Sequence, residues 1–410
     1  MKYLLLFYIL LVLTSCSFKG INVSKEKVNP EYLKDIQSRF SISFETFTNY
    51  VNDTYFLVPF QLKDYTYVAA IDSNKNFLFI HKYNHSLSLL SVNDNSYTFS
   101  LPEGINPFPL FSHSSFKTVN FKGEEISNID HSDINLDDDN FIIDSHDLIY
   151  DDYNQPIEIA YIEQAPDCCT TNLSTNPTRF MSAGIRYKGI NYDINYFQPY
   201  DDRFLFASAF SSSQFNNLFQ FYSFQNPDVP IDYIHINSLF RKGNLVYASA
   251  RMSSSIYIFD LSSLTYVDVI GGRNSPLSTF TVEGDSFSNQ HDVFINSKGN
   301  LMMYNNNVGL DFRTSQVLEY EIDYVNRELN LLWEYDMPRG KTGFVTGNIN
   351  EISEDDYFIF GGSTMGSNDN YIAVRVKDKR EVLFLDIKEK DGDSLKALTR
   401  PIFRILTINK

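Results

Sequence analysis

Cysteine is scarce in this chain of 410 residues, which contains only Cys16, Cys168 and Cys169. No further cysteine or histidine pair lies at the spacing of metal ligands, so we expect no metal site and no cofactor. Cys168 and Cys169 are adjacent. They could form a strained vicinal disulfide in an oxidising compartment, or they could remain two thiols in a loop.

Basic residues are also few, since 34 Lys and Arg face 51 Asp and Glu and leave a formal net charge of −17. Nucleic-acid binding requires a basic surface for the phosphate backbone, so no nucleic-acid partner is expected. A small anionic ligand would need a local positive pocket, because the overall field of the protein opposes it.

The apolar run at the N-terminus, from Tyr3 to Leu13, is too short to span a bilayer stably as a helix. It follows one positive charge and ends in Leu13-Thr14-Ser15-Cys16, which resembles the lipobox of a bacterial lipoprotein signal peptide. We therefore expect a signal over residues 1–16 and a lipid on Cys16. Ser17 in the next position suggests the outer membrane, facing the periplasm or the cell surface. The alternative is an ordinary secretory signal with an incidental cysteine.

Helical periodicity is missing after this signal, whereas 35 Phe and 27 Tyr accompany many Ile, Asn and Ser residues. Aromatic and β-branched residues favour strands. Short apolar runs alternate with turn residues, as in the strand, turn and strand of residues 67–80. An all-β fold is therefore predicted.

One template recurs four times along the chain. A histidine or glycine precedes an apolar strand, and the next strand begins nine positions later; the four starting residues are His146, His235, His291 and Gly347. A fixed offset that recurs along a chain indicates a repeated structural unit. If the units are arranged radially, the three histidines converge on one axis.

The repeats predict a six-bladed β-propeller over residues 65–410, preceded by a tether and a leading strand over residues 17–64. We place the blade starts near His85, His146, Asn191–Phe197, His235, His291 and Gly347. The chain end, Ile402 to Ile408, should pair with N-terminal strands and close the ring.

An ordered series of short motifs resembles the arylsulfotransferase family, the PAPS-independent aryl sulfate sulfotransferases. The similarity extends roughly from Tyr65 to Pro401 and is densest from Tyr233 to Ser363. It is carried by His235-Ile236-Asn237-Ser238, Ile270-Gly271-Gly272, Gln290-His291-Asp292, Asn305-Asn306-Asn307, Leu332-Trp333-Glu334-Tyr335 and Phe360-Gly361-Gly362-Ser363.

This resemblance implies a six-bladed propeller with an active site in its central channel. It also implies ping-pong transfer of a sulfuryl group from a phenolic sulfate to another phenol, in which histidines and an arginine hold the sulfate and a further histidine is transiently sulfated. His235 and His291 match the family's channel histidines, and Arg313 is the arginine nearest to the expected position. Ser394 stands where the sulfated histidine should be, and the chain has no histidine after His291.

Four further residues complete the predicted substrate-binding set: Asn237, Arg251, Asn306 and His146. His146 and Arg251 have structural alternatives, since a propeller histidine can bond a neighbouring blade, and Arg251 could form a salt bridge between blades. Two functions stay open. One is transfer or hydrolysis of a sulfuryl group on a small phenolic substrate. The other is a non-catalytic propeller that binds a small anion or a protein partner at the cell envelope.

Overall fold

The computed structural model describes residues 28–47, 54–61, 65–85, 87–93, 95–102, 114–131, 141–164, 180–194, 231–232, 234–263, 265–272, 275, 278–283, 286–307, 313–338, 346–361, 370–390 and 406–409. These residues form one helix, α1 (Pro30–Arg39), and strands β1 to β27 in six sheets. The sheets are the blades of a six-bladed β-propeller, so the predicted fold is confirmed.

The first three blades, from the innermost strand outward, are as follows. Blade 1 consists of β27 (Leu406–Asn409), β2 (Thr54–Gln61), β3 (Thr66–Ile71) and β4 (Phe77–Tyr83). Blade 2 consists of β5 (Ser88–Val92), β6 (Ser96–Pro102), β7 (Ser114–Asn120) and β8 (Glu125–Ile129). Blade 3 consists of β9 (Phe141–Tyr150), β10 (Pro156–Gln164), β11 (Phe180–Tyr187) and β12 (Ile190–Asp193), with β13 (Ile231–Asp232) parallel to β11.

The remaining blades complete the ring, and two of them gain an extra outer strand. Blade 4 consists of β14 (Ile236–Lys242), β15 (Leu245–Ala250), β16 (Ser255–Asp260) and β17 (Thr265–Gly271). Blade 5 consists of β19 (His291–Ile295), β20 (Leu301–Asn305), β21 (Gln316–Asp323), β22 (Glu328–Asp336) and the outer β18 (Thr281–Val282). Blade 6 consists of β23 (Asn348–Ser353), β24 (Asp356–Phe360), β25 (Asn370–Lys377), β26 (Arg380–Glu389) and the outer β1 (Phe40–Thr46).

The innermost strands contact one another in the order β27, β5, β9, β14, β19 and β23, and β23 returns to β27. The chain end supplies the innermost strand of blade 1, since β27 pairs antiparallel with β2 and Ile408 lies opposite Tyr55. This is the closure that the sequence predicts. It joins the two ends of the chain and covers the edge that β2 would otherwise expose.

Two predicted boundaries are corrected by the strand pairing. The propeller sheets begin with β1 and β2, before residue 65, because the alternating aromatic residues of this segment pack into the ring; the Phe40 ring lies 5.1 Å from that of Phe60. The blade start that the sequence predicts near Asn191–Phe197 is also wrong. Asn191 belongs to β12 and faces Arg186 across a hairpin. Its tight turn is made by Lys188 and Gly189, which both have positive φ.

The hydrophobic core lies between neighbouring blades. Blades 1 and 6, for example, share a cluster in which the rings of Phe56 and Phe358 stack 4.8 Å apart. Helix α1 closes this cluster from outside with the fully buried Ile36. The helix begins at Pro30, and the Asn29 side chain caps it by accepting a hydrogen bond from the backbone of Glu31. Each blade is therefore stabilised by its neighbours.

Hydrogen bonds also join the innermost strands of blades 3 to 6. In each case a side chain on one inner strand accepts a backbone N–H from the inner strand of the next blade. The three pairs are Asp147 with Leu239 at 2.8 Å, Ser238 with Val293 at 3.1 Å and Asp292 with Ile349 at 2.5 Å. We call these the inter-blade bonds. All three acceptors lie in the repeated template.

Several sequence predictions concern residues outside the described part of the chain, namely Cys16, Cys168, Cys169 and Ser394. Within the described ranges, no helix is long and apolar enough to cross a membrane. The same ranges contain no cluster of three or more metal-ligating side chains.

A buried ion pair within blade 6 also bonds blade 1 through Thr54, and it generates a prediction about stability. The guanidinium of Arg375 donates to both carboxylate oxygens of Asp356, at 2.8 and 2.9 Å, and to the Thr54 hydroxyl at 3.1 Å. Arg375→Ala should lower the free energy of unfolding by about 3–5 kcal/mol, because it leaves a buried carboxylate without its main partner.

The matched control is Lys377→Ala. Lys377 contacts the same carboxylate at 3.6 Å, but its side chain is 51% exposed, and its loss should change stability by less than about 0.5 kcal/mol. Denaturant unfolding of the two variants is the measurement. If the two substitutions lower the free energy of unfolding equally, the buried ion pair is not the source of this stability.

Candidate functional site

The three histidines of the template lie on the inner strands of three consecutive blades. His146 is in β9 of blade 3, His235 immediately precedes β14 of blade 4, and His291 is the first residue of β19 in blade 5. The rings of His146 and His235 meet edge to face, with their centroids 4.9 Å apart. The structure therefore brings together residues that are far apart in the sequence, as the radial arrangement of the repeats predicts.

Irregular backbone positions these side chains. Each of the three inner strands has an irregularity in its pairing with the next strand of its blade. It lies at residues 144–147 in β9, at Asn237 in β14, and just after His291 in β19. His235 has φ +52° and Asp292 has φ +50°, a conformation that is rare for residues other than glycine. Bulges re-aim side chains at the inner edge of a sheet, and here they coincide with the predicted site.

The fourth copy of the template has Gly347 in place of histidine for a steric reason. A β-carbon on Gly347 would lie 2.3 Å from the ring of Tyr304, and its φ of +156° also disfavours a side chain. Tyr304 is fully buried behind His291, its partner across the sheet. Blade 6 therefore contributes backbone, but no imidazole, at this position.

His291 is held by a hydrogen-bond chain. Its Nδ1 lies 2.6 Å from Asn306 Oδ1, and the amide of Asn306 donates to the Thr346 carbonyl at 3.1 Å. Because the amide nitrogen is used in this way, the oxygen of Asn306 accepts and Nδ1 of His291 carries the proton. In the neutral ring the lone pair is then on Nε2.

The pKa of His291 is lowered well below the ordinary value of 6.5, first by burial and then by the positive charges of Arg251, His235 and His146. His291 is therefore neutral at neutral pH. The repulsion also shows that four potentially cationic side chains converge, and we call Arg251, His146, His235 and His291 the cationic cluster.

Arg251, and not Arg313, is the buried arginine of this cluster. Arg251 is 5% exposed. Its backbone N–H donates to the His235 carbonyl at 2.8 Å, and its own carbonyl accepts from the Asn289 side chain at 3.1 Å. Arg313, the arginine nearest to the position that the resemblance implies, is exposed. Of the two arginines considered from the sequence, the one at the end of β15 is next to the histidines.

Asn237 connects blade 4 to the segment that leads into His291. Its amide donates to the Gln290 carbonyl at 2.8 Å. The Gln290 amide in turn donates to Ser249, Ala250 and Ser255 of blade 4, at 3.0 to 3.2 Å. Asn237 Oδ1 is buried and accepts no hydrogen bond from the described residues.

Two residues of the site are not among the sequence predictions. Asp144 accepts hydrogen bonds from the backbone N–H of His146 at 2.7 Å and from its Nδ1 at 2.5 Å. The Tyr161 hydroxyl lies 3.3 Å from Nδ1 of His235. The separation of Asp144 and His146 by one residue is a signal that sequence inspection could have used. The position of Tyr161, on a strand of the neighbouring blade, leaves no such signal.

The other described histidines are not in the cluster's hydrogen-bond network. His85, near which the sequence places a blade start, is exposed. His81 is partly buried and bonds the Tyr97 hydroxyl at 2.7 Å, and burial lowers its pKa to about 4. His131 lies 2.6 Å from Glu158. These two have structural partners of their own.

The sequence model of the arylsulfotransferase (ASST) family matches residues 194–395 of this chain, which is just under half of its length. The match confirms the resemblance that the motifs indicate. It includes His235, Arg251 and His291, whereas His146 and Asp144 precede it. No curated protein matches the chain.

Solved structures show low similarity over most of the chain. A luciferin-regenerating enzyme is 10% identical with a TM-score of 0.37, and the alignment covers 85% of this chain and 96% of that one. A protein of unknown function from Dyadobacter fermentans is 8% identical with a TM-score of 0.38, covering 85% and 100%. A candidate 6-phosphogluconolactonase from Bacteroides fragilis is 9% identical with a TM-score of 0.40, covering 89% and 100%.

The charge arrangement predicts that anion binding is linked to proton uptake. An anion beside Arg251 offsets the repulsion that disfavours protonated His291, so it raises the pKa of His291 towards neutrality. The affinity for inorganic sulfate should therefore increase as pH falls from 8 to 6, by at most about tenfold per pH unit for one proton. Titration calorimetry in buffers of different ionisation enthalpy measures the proton uptake.

His291→Gln should abolish this proton uptake, whereas His85→Gln, which changes an exposed histidine, should retain it. An affinity that is independent of pH in the unmodified protein would show that His291 does not face the anion.

Proposed function

We propose, from the arylsulfotransferase match over residues 194–395 and the cationic cluster, that this protein transfers the sulfuryl group of a phenolic sulfate to a phenol or to water. The observation that carries the proposal is the burial of Arg251 beside three histidines from consecutive blades. A chain with a net charge of −17 can attract an anion only where positive charge is concentrated. The cationic cluster is such a place.

The cluster suits the charge distribution of sulfuryl transfer. Negative charge lies on the equatorial oxygens of the group as it passes between two oxygens, and fixed cationic groups in a buried site stabilise it. In this proposal Arg251 takes the role that the sequence suggested for Arg313. His235 and His291 contact the sulfate or the bridging oxygen, with Asn306 holding His291, while Asn237 holds the segment that leads into His291 through its hydrogen bond to the Gln290 carbonyl.

A second candidate function is binding without catalysis. It is favoured by one observation, namely that the chain has no histidine after His291 and has Ser394 where the resemblance implies the sulfated histidine. A serine hydroxyl without an adjacent base is a poor nucleophile. Under this alternative the cationic cluster would bind a small anion or an acidic partner at the cell envelope.

Turnover of 4-nitrophenyl sulfate in the presence of phenol distinguishes the two candidate functions and tests which of the two arginines contributes to catalysis. Arg251→Met should reduce kcat/KM by about 10²-fold or more, because it removes the fixed charge that meets the transferred group. Arg313→Met, an exposed substitution, should change it less than about twofold. The reverse order of effects would restore Arg313. If the unmodified protein binds the sulfate but shows no turnover, the binding function is correct.

We also propose that Cys16 carries a lipid that anchors the protein to the bacterial envelope. The support is the short apolar run and the order Leu13-Thr14-Ser15-Cys16. In a bacterial host, labelled fatty acid should be incorporated into the protein, and Cys16→Ser should prevent it. Cys168→Ser serves as the control cysteine. Equal labelling of the Cys16→Ser protein would favour the ordinary secretory signal.

A further inference from the structure

We infer that His146, oriented by Asp144, is the general base that deprotonates the acceptor hydroxyl, in a direct sulfuryl transfer between two phenols. This inference rests on the proposed function and names a catalytic residue outside the family match. It differs from the ping-pong route that the resemblance implies, because no covalent sulfated protein is formed.

The geometry of Asp144 and His146 is that of a carboxylate–imidazole pair. Asp144 is 1% exposed, and its Oδ1 accepts from both the backbone N–H and Nδ1 of His146. The double contact fixes the ring orientation and places the ring proton on Nδ1. Nε2 then carries the lone pair that can accept a proton, and the buried carboxylate stabilises the imidazolium that results.

The three histidines of the cationic cluster differ in the partner of Nδ1, and this difference selects the base. His146 has a carboxylate, His235 has the Tyr161 hydroxyl at 3.3 Å, and His291 has a neutral amide oxygen at 2.6 Å. Only a charged partner compensates the positive charge that a base acquires. Of the three, His146 is therefore the imidazole best suited to take a proton.

The position of His146 satisfies the second requirement, which is proximity to the transferred group. Its ring lies edge to face against the His235 ring, with the centroids 4.9 Å apart, and the His235 carbonyl accepts the backbone N–H of Arg251 at 2.8 Å. Its side chain is 12% exposed, so it borders the site without being sealed inside it. An acceptor phenol that approaches Arg251-bound sulfate would pass beside this ring.

Nε2 of His146 takes the proton of the acceptor hydroxyl while the acceptor oxygen forms its bond to sulfur. The bond between sulfur and the donor aryl oxygen breaks, and the proton passes from the imidazolium to the departing aryloxide. Arg251 and His235 offset the charge on the equatorial oxygens throughout, and Ser394 has no part in the reaction.

The test uses the full-length protein, 4-nitrophenyl sulfate as donor and two acceptors. Phenol is protonated at the assay pH of 7.5 and needs a base, whereas pentafluorophenol is ionised and does not. For His146→Gln we expect kcat with phenol to fall by about 10²-fold or more, and kcat with pentafluorophenol to fall by less than threefold. Asp144→Asn should show the same selectivity, because it removes the charge and the fixed tautomer.

The controls distinguish a failed inference from a failed proposal. His85→Gln should match the unmodified protein with both acceptors, and sulfate binding by the His146 and Asp144 variants establishes that they fold. Equal losses with both acceptors would assign His146 a purely structural role and overturn the inference. A sulfated adduct in intact-mass spectra would do the same by showing a covalent route. Absence of turnover in the unmodified protein would overturn the proposed function and the inference with it.

Discussion

The inter-blade bonds are the constraint on which the candidate site depends. Their acceptors are Asp147, Ser238 and Asp292 on three successive inner strands. Each acceptor is the chain neighbour of a site residue: His146, Asn237 and His291. In each of these three strands, one bulge therefore contains both the residue that bonds the next blade and its neighbour in the candidate site. The relative position of the histidines is determined by the same bonds that hold the blades in register.

The surroundings of the individual side chains explain how a strongly acidic protein can keep the cationic cluster. Like charges at close range repel one another, and burial makes the repulsion stronger. Here the cost is reduced because His291 is neutral at neutral pH, while the Asp144 carboxylate compensates His146. The arrangement holds Arg251 as its permanent cation beside three imidazoles that differ in the partner of Nδ1.

The partners of Nδ1 divide the three imidazoles into different chemical roles although the repeated template places them in equivalent positions. A carboxylate, a phenolic hydroxyl and an amide have different effects on the imidazolium form. The repeat therefore brings the three histidines together, and the residues that differ between its copies give each histidine a different chemical environment. Gly347 is one of the residues that differ. Its blade provides the Thr346 carbonyl that orients Asn306, and through it His291.

Sequence reasoning could reach the all-β class, the number of blades and the closure by the chain end, because strand alternation and a nine-residue offset are local periodicities. It could also select His146, His235 and His291, because equivalent positions of a repeat become neighbours in a ring. It placed one blade start near Asn191 wrongly, because a two-residue hairpin turn at Lys188 and Gly189 looks like any other turn. The pairing of Arg375 with Thr54 joins residues 321 positions apart, a distance at which sequence pattern carries no information.

The difference in burial between Arg251 and Arg313 is a property of the tertiary structure. The sequence favoured Arg313 for catalysis and Arg251 for substrate binding, and it does not show that Arg251 is buried and contacts His235. The same holds for Tyr161, which reaches His235 only because blades 3 and 4 are adjacent. Composition and periodicity thus determined which strands form and which residues occupy equivalent positions of the repeat. Only the folded ring determined which charges are buried together, because burial, and with it the strength of every electrostatic interaction, is a property of the packed blades.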